Sequence, residues 1–183
     1  MPVIYPNNFE QKIGFDKIRQ LLADKCLSPL GKGRVEEAHF SDDYATVARW
    51  LEETDEFLKL LRGDEEFPAN YFFDVRYSLK RIRPEGTWLD EKELFDLKRS
   101  LQTINDIVRF LKPTEDEEIK YPALTALAGE IMVFPRLVES IDTIIDKFGK
   151  IKDNASPTLA RIRSEIASTL GGISRSLQSI LRA

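Results

Sequence analysis

The chain has 183 residues, 42% hydrophobic and 32% charged, with a net charge of −4 and an isoelectric point near 5.3. That length supports one core rather than two, and the acidic balance excludes the basic character of a general nucleic-acid binder. A single cysteine, Cys26, excludes an internal disulfide and fits a reducing compartment; with no run near the ~18 apolar residues of a membrane span and no secretion signal at the start, the cytoplasm is the expected location.

The apolar spacing is helical almost throughout, so the expected fold class is all-α. Phe15, Ile18, Leu22 and Cys26 predict one inward face of a first helix. SPLGKGRVEEA then restarts with Ser28 as cap and Pro29 at the first helical position, where the fixed proline φ is favourable. Val47, Trp50, Leu51, Thr54, Phe57, Leu58 and Leu61 predict a long helix from Ser41 or Asp42 to Gly63. The following stretch to Trp88 carries Phe67, Tyr71, Phe72 and Phe73, and reads as an ordered connector with a short helix over 75–82 and a turn at Pro84 and Gly86. Asp90 and Glu93 have the spacing of a capping box. Behind them Leu94, Leu97, Leu101, Ile104, Val108 and Leu111 predict a second long helix, ended by Pro113. An acidic loop, TEDEEIK, leads to a short helix in YPALTALAGEIM and another in FPRLVESIDTIIDKF, with Leu137, Ile141, Ile144 and Phe148 inward. The last helix starts at Pro157 after the cap Ser156. The division expected is a helical core over residues 1–154 and a long helix over 155–183. No low-complexity tract, internal repeat or Gly/Ser linker interrupts it.

No constellation supplies an active site. In SPLGKGR the positions that a phosphate loop needs as Gly and as Ser or Thr are Cys26 and Gly33. The carboxylates, at 52–53, 64–66 and 115–118, lie in polar runs that share one environment, whereas an acid and base pair needs two environments. One histidine, His39, and one cysteine cannot build a Cys/His zinc site. Cys26 on its apolar face reads as a core residue rather than a thiolate nucleophile.

The C-terminal end is different. From Ala155 there are four basic residues against one acid, +3, which leaves −7 for the first 154 residues. Lys150, Lys152, Arg161 and Arg163 are candidate phosphate contacts, although an ordinary solvated face explains such charges too. The apolar stripe Leu159, Ile162, Ile166, Leu170, Ile173, Leu177, Ile180 has spacings of three, four, four, three, four and three, a heptad with a stutter beside Gly171 and Gly172. Two interior glycines cost ~1 kcal/mol each relative to alanine, so Gly171 and Gly172 are the candidate hinge; close packing against another helix is the competing explanation. A helix from 157 to 182 spans roughly 40 Å, so part of it is expected to protrude, or the chain to continue beyond Ala183.

FDVRYSLKRIRPEGTWLDEKELFDLKRSL, with its D-[IV]-R-x-x-L-K-R helix, glycine turn and capped long helix, resembles the core pattern of the MutS family of DNA mismatch-repair ATPases. LSPLGKGRVEEA with VARWLEETDEFLKLL is similar to the preceding part of that core, and IKDNASPTLARIRSEI to the segment where its long helix leaves as a lever. The order of these motifs, without a mismatch-recognition domain before them, resembles the second paralogue group, associated with recombination suppression. The resemblance implies a non-catalytic core and outgoing lever, with no cofactor in this chain. ATP and magnesium would belong to an ATPase domain elsewhere in a longer protein, and strand cleavage to an Smr nuclease domain there. It further implies DNA as partner, branched or mismatched, through the full-length protein, contact with the clamp and ATPase of the same chain, and a homodimer, with no membrane. Gly171 and Gly172 depart from the family pattern, which usually has charged helix formers there. The alternative reading is a stand-alone adaptor that binds a partner helix on residues 170–181.

Overall fold

The computed structural model describes residues 5–112 and 119–182. The chain is all-α. The described helices are α1 Phe9–Ile13, α2 Phe15–Lys25, α3 Pro29–Glu36, α4 Tyr44–Arg62, α5 Arg76–Arg81, α6 Glu91–Leu111, α7 Pro122–Gly129, α8 Pro135–Ile144 and α9 Pro157–Arg182. The sole β pairing among the described residues is an isolated antiparallel bridge between Ile145 and Ile151.

α6 is the axis of the body. It starts as its sequence predicts: the Asp90 carboxylate accepts from the Glu93 amide at 2.8 Å, and the Glu93 carboxylate accepts from the Asp90 amide at 3.0 Å. These bonds satisfy amides that a helix start leaves open. Glu93 also accepts from the Ser78 hydroxyl at 2.8 Å and pairs with Arg81, which ties α5 to the same end. Along its length α6 serves two buried clusters. Leu97 meets Ile141 and Ile145, with Val75, Leu89, Leu94, Phe95, Leu101 and Ile151 packed around them. Near the other end, Phe110 and Leu111 join Leu60, Tyr121 and Leu124, with Phe57 and Phe67 edge-on at 5.3 Å. α4 packs on α7, α7 on α6, and α6 on α8. The Glu56 carboxylate accepts from the Ala123 and Leu124 amides at 3.0 and 2.9 Å, so α4 caps the N-terminus of α7.

Several expectations need correction. α4 begins at Tyr44, because Asp43 rather than Ser41 or Asp42 caps it, accepting from the Thr46 amide at 2.9 Å. Its fully buried residue is Leu60, while Leu51, Leu58 and Leu61 are exposed; α7 covers a flank that the stripe does not centre on. On α8 the inward residues are Val138 and Ile141, followed by Ile145, whereas Leu137, Ile144 and Phe148 are exposed. Helical periodicity does not continue past Ile144, where the chain turns. Ile18 and Leu22 on α2 are exposed, and Cys26 is half-buried with its thiol donating to the Leu22 carbonyl at 3.3 Å. α1 to α3 pack among themselves, Arg19 binding Glu10 at 3.0 Å and the Ala38 carbonyl at 2.9 Å, so this face is not part of the central core. The acidic loop over 114–118 lies outside the described residues, as does Pro113.

Candidate functional site

The site that the fold builds most deliberately is the root of α9. After α8 the chain reverses over residues 145–151: the Asp146 amide donates to the Lys150 carbonyl and the Lys152 amide to the Ile144 carbonyl, both at 2.8 Å. The Asp146 carboxylate accepts from the Phe148 and Lys150 amides at 2.8 and 2.9 Å, the self-bonded turn to which aspartate is suited. Those amides, the Lys150 amide first, hold its carboxyl below the ordinary aspartate range. Gly149 completes the reversal at φ +80°, and a Cβ there would lie 2.8 Å from Cγ of Phe95. The turn is seated on α6 by that contact.

Charged side chains lock the seat. Lys150 Nζ lies 3.1 Å from Glu91 in the first turn of α6, and the Ile151 amide donates to the same carboxylate at 3.4 Å. Lys150 first, then the Ile151 amide, lowers the Glu91 pKa, with a smaller electrostatic contribution from Arg163. Lys152 donates to the Asp142 carbonyl, and the Asp142 carboxylate pairs with the buried Lys98 of α6. Arg163, two turns into α9, reaches back to the Ile151 carbonyl at 3.0 Å and pairs with Asp153. Ser156 caps α9, accepting from the Leu159 amide at 3.1 Å.

Of the four candidate phosphate contacts, Lys150, Lys152 and Arg163 therefore gather around one turn, each with an intramolecular partner. Arg161 pairs with Glu165 one helical turn on, at 2.7 Å. A phosphate at this end would have to compete with these carboxylates and carbonyls. Gly171 and Gly172 lie in the uninterrupted α9, and a Cβ at either would meet no atom within 4 Å. Among the described residues no close packing accounts for them.

Sequence reasoning missed Glu91, Phe95, Asp142, Asp146 and Gly149. Asp-x-x-Gly over 146–149 was a readable turn signal. The pairing of Glu91 with Lys150 across 59 residues had no local signature.

A groove of about 850 Å³ beside α4 and α7 is lined by Trp50, Arg34, Arg49, Glu52, Glu53 and Glu130, among others. Glu53 pairs with Arg49 at 3.8 Å. Among the described residues no three His, Cys, Asp or Glu side chains converge as a metal site, and no helix is long and apolar enough to cross a membrane.

A protein named Endonuclease MutS2 from Geobacillus sp. (strain WCH70) is 32% identical over 169 residues, which is 92% of this chain and 21% of that protein. The chain is similar to a segment of endonuclease MutS2. The MutS2 proteins of Alkaliphilus oremlandii, 30% identical over 91% of the chain, and Listeria innocua serovar 6a, 31% over 94%, agree. They are covered over 21% and 22% of their own lengths, so the chain spans about a fifth of the curated relatives it matches. No protein-family model matches the chain. A MutS2 match across nine-tenths of the chain necessarily takes in the root of α9 as well as the body.

Proposed function

We propose that this chain is a mechanical element of a MutS2-type DNA-binding ATPase clamp: a rigid helical body from which α9 leaves as a lever. The observation that carries the reading is the MutS2 similarity across nine-tenths of the chain, and the geometry at the root of α9 supports it. A lever transmits force only if its base cannot swivel. Here the base is held by the Gly149 turn against Phe95, by Glu91 with Lys150 and Ile151, and by Arg163 bonded back to the turn. In this reading ATP hydrolysis and any strand cleavage belong to other parts of a longer protein, with magnesium bound alongside ATP there, and DNA is engaged by the assembled homodimeric clamp.

A segment exchange tests the proposal. This chain is placed in the Geobacillus protein in place of the matching fifth, and nuclease activity and DNA-stimulated ATP hydrolysis are measured. Retention of both is expected, with loss of the DNA stimulation, but not of basal hydrolysis, when Glu91→Ala and Arg163→Ala free the root. A folded exchange protein without DNA-stimulated hydrolysis overturns the reading, as does ATP hydrolysis by the 183-residue chain itself.

A further inference from the structure

α6 carries an arginine that is held by rings rather than by an acceptor. The Arg99 guanidinium lies over the Tyr71 ring at 4.0 Å and over the Phe95 ring at 4.5 Å. Among the described residues no carboxylate pairs with it and no acceptor takes a hydrogen bond from it. Stacking therefore fixes the plane of the fork while its N–H donors stay open, and that fork matches the oxygens of a phosphate or a carboxylate. The platform under it is fixed too. Buried Ser100, the next residue on α6, accepts from the Phe73 amide at 3.2 Å, and Tyr71 stacks on Phe73 with ring centroids 6.3 Å apart. Tyr71 is nevertheless 41% exposed. Phe95 in turn carries the Gly149 turn, whose apex presents Phe148 at 74% exposure with the Lys147 ammonium 5.0 Å from the ring centroid. Among the described residues Lys147 has no carboxylate partner either. Nearby acids are engaged: Asp74 by Arg76 at 2.7 Å, Glu91 by Lys150 at 3.1 Å, and Asp146 by the amides of its own turn.

We propose that the strip from Tyr71 through Arg99 to Lys147 and Phe148 is a binding site for single-stranded nucleic acid, with bases stacked on the exposed Tyr71 and Phe148 rings and phosphates held by the Arg99 fork and the Lys147 ammonium. Open aromatic faces beside unpaired cations are the means by which single strands are held without regard to sequence. A duplex keeps its bases stacked within itself and offers these rings nothing. An acidic peptide would use the cations and leave the rings idle, so the presence of both favours a single strand. Rigidity adds to the case, because a ring on a loose loop would lose its stacking gain in being ordered. Here the Asp146 carboxylate and the Gly149 contact hold Phe148 in place before a ligand arrives. The strip is distinct from the basic cluster at the root of α9, where Lys150, Lys152 and Arg163 each have an intramolecular partner. It is built from this chain alone and owes nothing to the lever reading. Because Arg99 and Lys147 are the cations left open, binding is weak, with a slope of about −1.4 in log affinity against log salt, ~0.7 from each contact.

Fluorescence anisotropy tests the site, with a labelled oligothymidylate of ~10 nucleotides, within the usual span of such sites, titrated with the 183-residue chain at low salt. Saturable binding is expected, and the same strand annealed to its complement should bind at least ~5-fold more weakly, the loss of one stacked base. Phe148→Ala and Tyr71→Ala should each weaken single-strand binding by at least ~5-fold. Lys147→Gln and Arg99→Gln should weaken it and each reduce the salt slope by roughly 0.7. Phe148 and Lys147 are exposed on the turn, so their variants should keep the circular dichroism of the body and carry the test even where a change at Tyr71 or Arg99 disturbs packing. Absence of saturable binding overturns the proposal. So does a duplex bound as well as the single strand, or wild-type affinity in Phe148→Ala, since either removes the rings from the site. Displacement of the oligonucleotide by polyglutamate as readily as by unlabelled strand would make the ligand an acidic peptide and overturn it too. The segment exchange is read through Glu91→Ala and Arg163→Ala, which lie outside this strip, so the two proposals fail separately.

Discussion

α6 and α9 begin alike and end in opposite circumstances. Both are long, each opens with a side-chain cap on its third amide, and each repeats apolar residues along one face. On α6, Leu97 is 8% exposed in the cluster it forms with Ile141 of α8 and with Ile145; on α9, Leu177 is 55% exposed. An apolar stripe thus specifies a helix and a face, but its contribution to stability waits on what covers the face.

The strongest way to break this contrast is truncation of one leucine on each side of it. Leu60→Ala in the fully buried cluster is expected to cost ~2 to 5 kcal/mol, the range for a core leucine that leaves a cavity. Leu177→Ala is expected to leave the urea midpoint of the body almost unmoved. Equal shifts in the two variants would mean that α9 packs on the body after all.

Next in size is the turn that joins the two regions. Gly149→Ala introduces a side chain at φ +80° and sets its Cβ 2.8 Å from Phe95. The left-handed backbone costs ~1 to 2 kcal/mol and the overpacking a further ~1 to 3. Urea unfolding should show their sum, and in a Phe95→Ala background, itself destabilised by the packing lost from the Leu97 cluster, Gly149→Ala should cost less by most of the steric part. A wild-type midpoint for Gly149→Ala would remove the turn from the account of how α9 is held.

The same division decides what could be read in advance. The Asp90–Glu93 box and the Ser156–Pro157 start were legible because caps are made within four residues. Ile145 was not: helical spacing carried past Ile144 puts Phe148 inside, yet Phe148 is exposed and Ile145 is buried, because the chain reverses at Asp146 and Gly149. Leu60 was passed over for Leu58 and Leu61 because the position of α7 decides which flank of α4 is covered. At the candidate site the basic residues were visible in the sequence as a cluster. Their partners were not, since Glu91 and Asp142 belong to other elements and electrostatic pairing between distant segments has no period.

The smallest effect expected is also the one most specific to the root. Glu91 has its folded pKa lowered by the Lys150 ammonium and the Ile151 amide. A lowered carboxylate stabilises the folded root above the ordinary glutamate range, and that contribution fades as pH falls through its folded value. Amide-exchange protection at Ile151 and Lys152 should therefore decrease on acidification, after correction for the intrinsic pH dependence of exchange. Asp146 is lowered too and titrates in the same acid window, so Glu91→Gln should remove part of the loss and Glu91→Gln with Asp146→Asn nearly all of it. The effect should be modest, because the Lys150–Glu91 pair is solvent-exposed and salt screens such pairs. Raising the ionic strength at neutral pH should mimic acidification at Ile151 while leaving amides on α6 around Leu97 protected. If the protection at Leu97 fell in step with that at Ile151, the root and the body would open as one unit, and the boundary between the anchored helix and the uncovered one would lie farther out along α9.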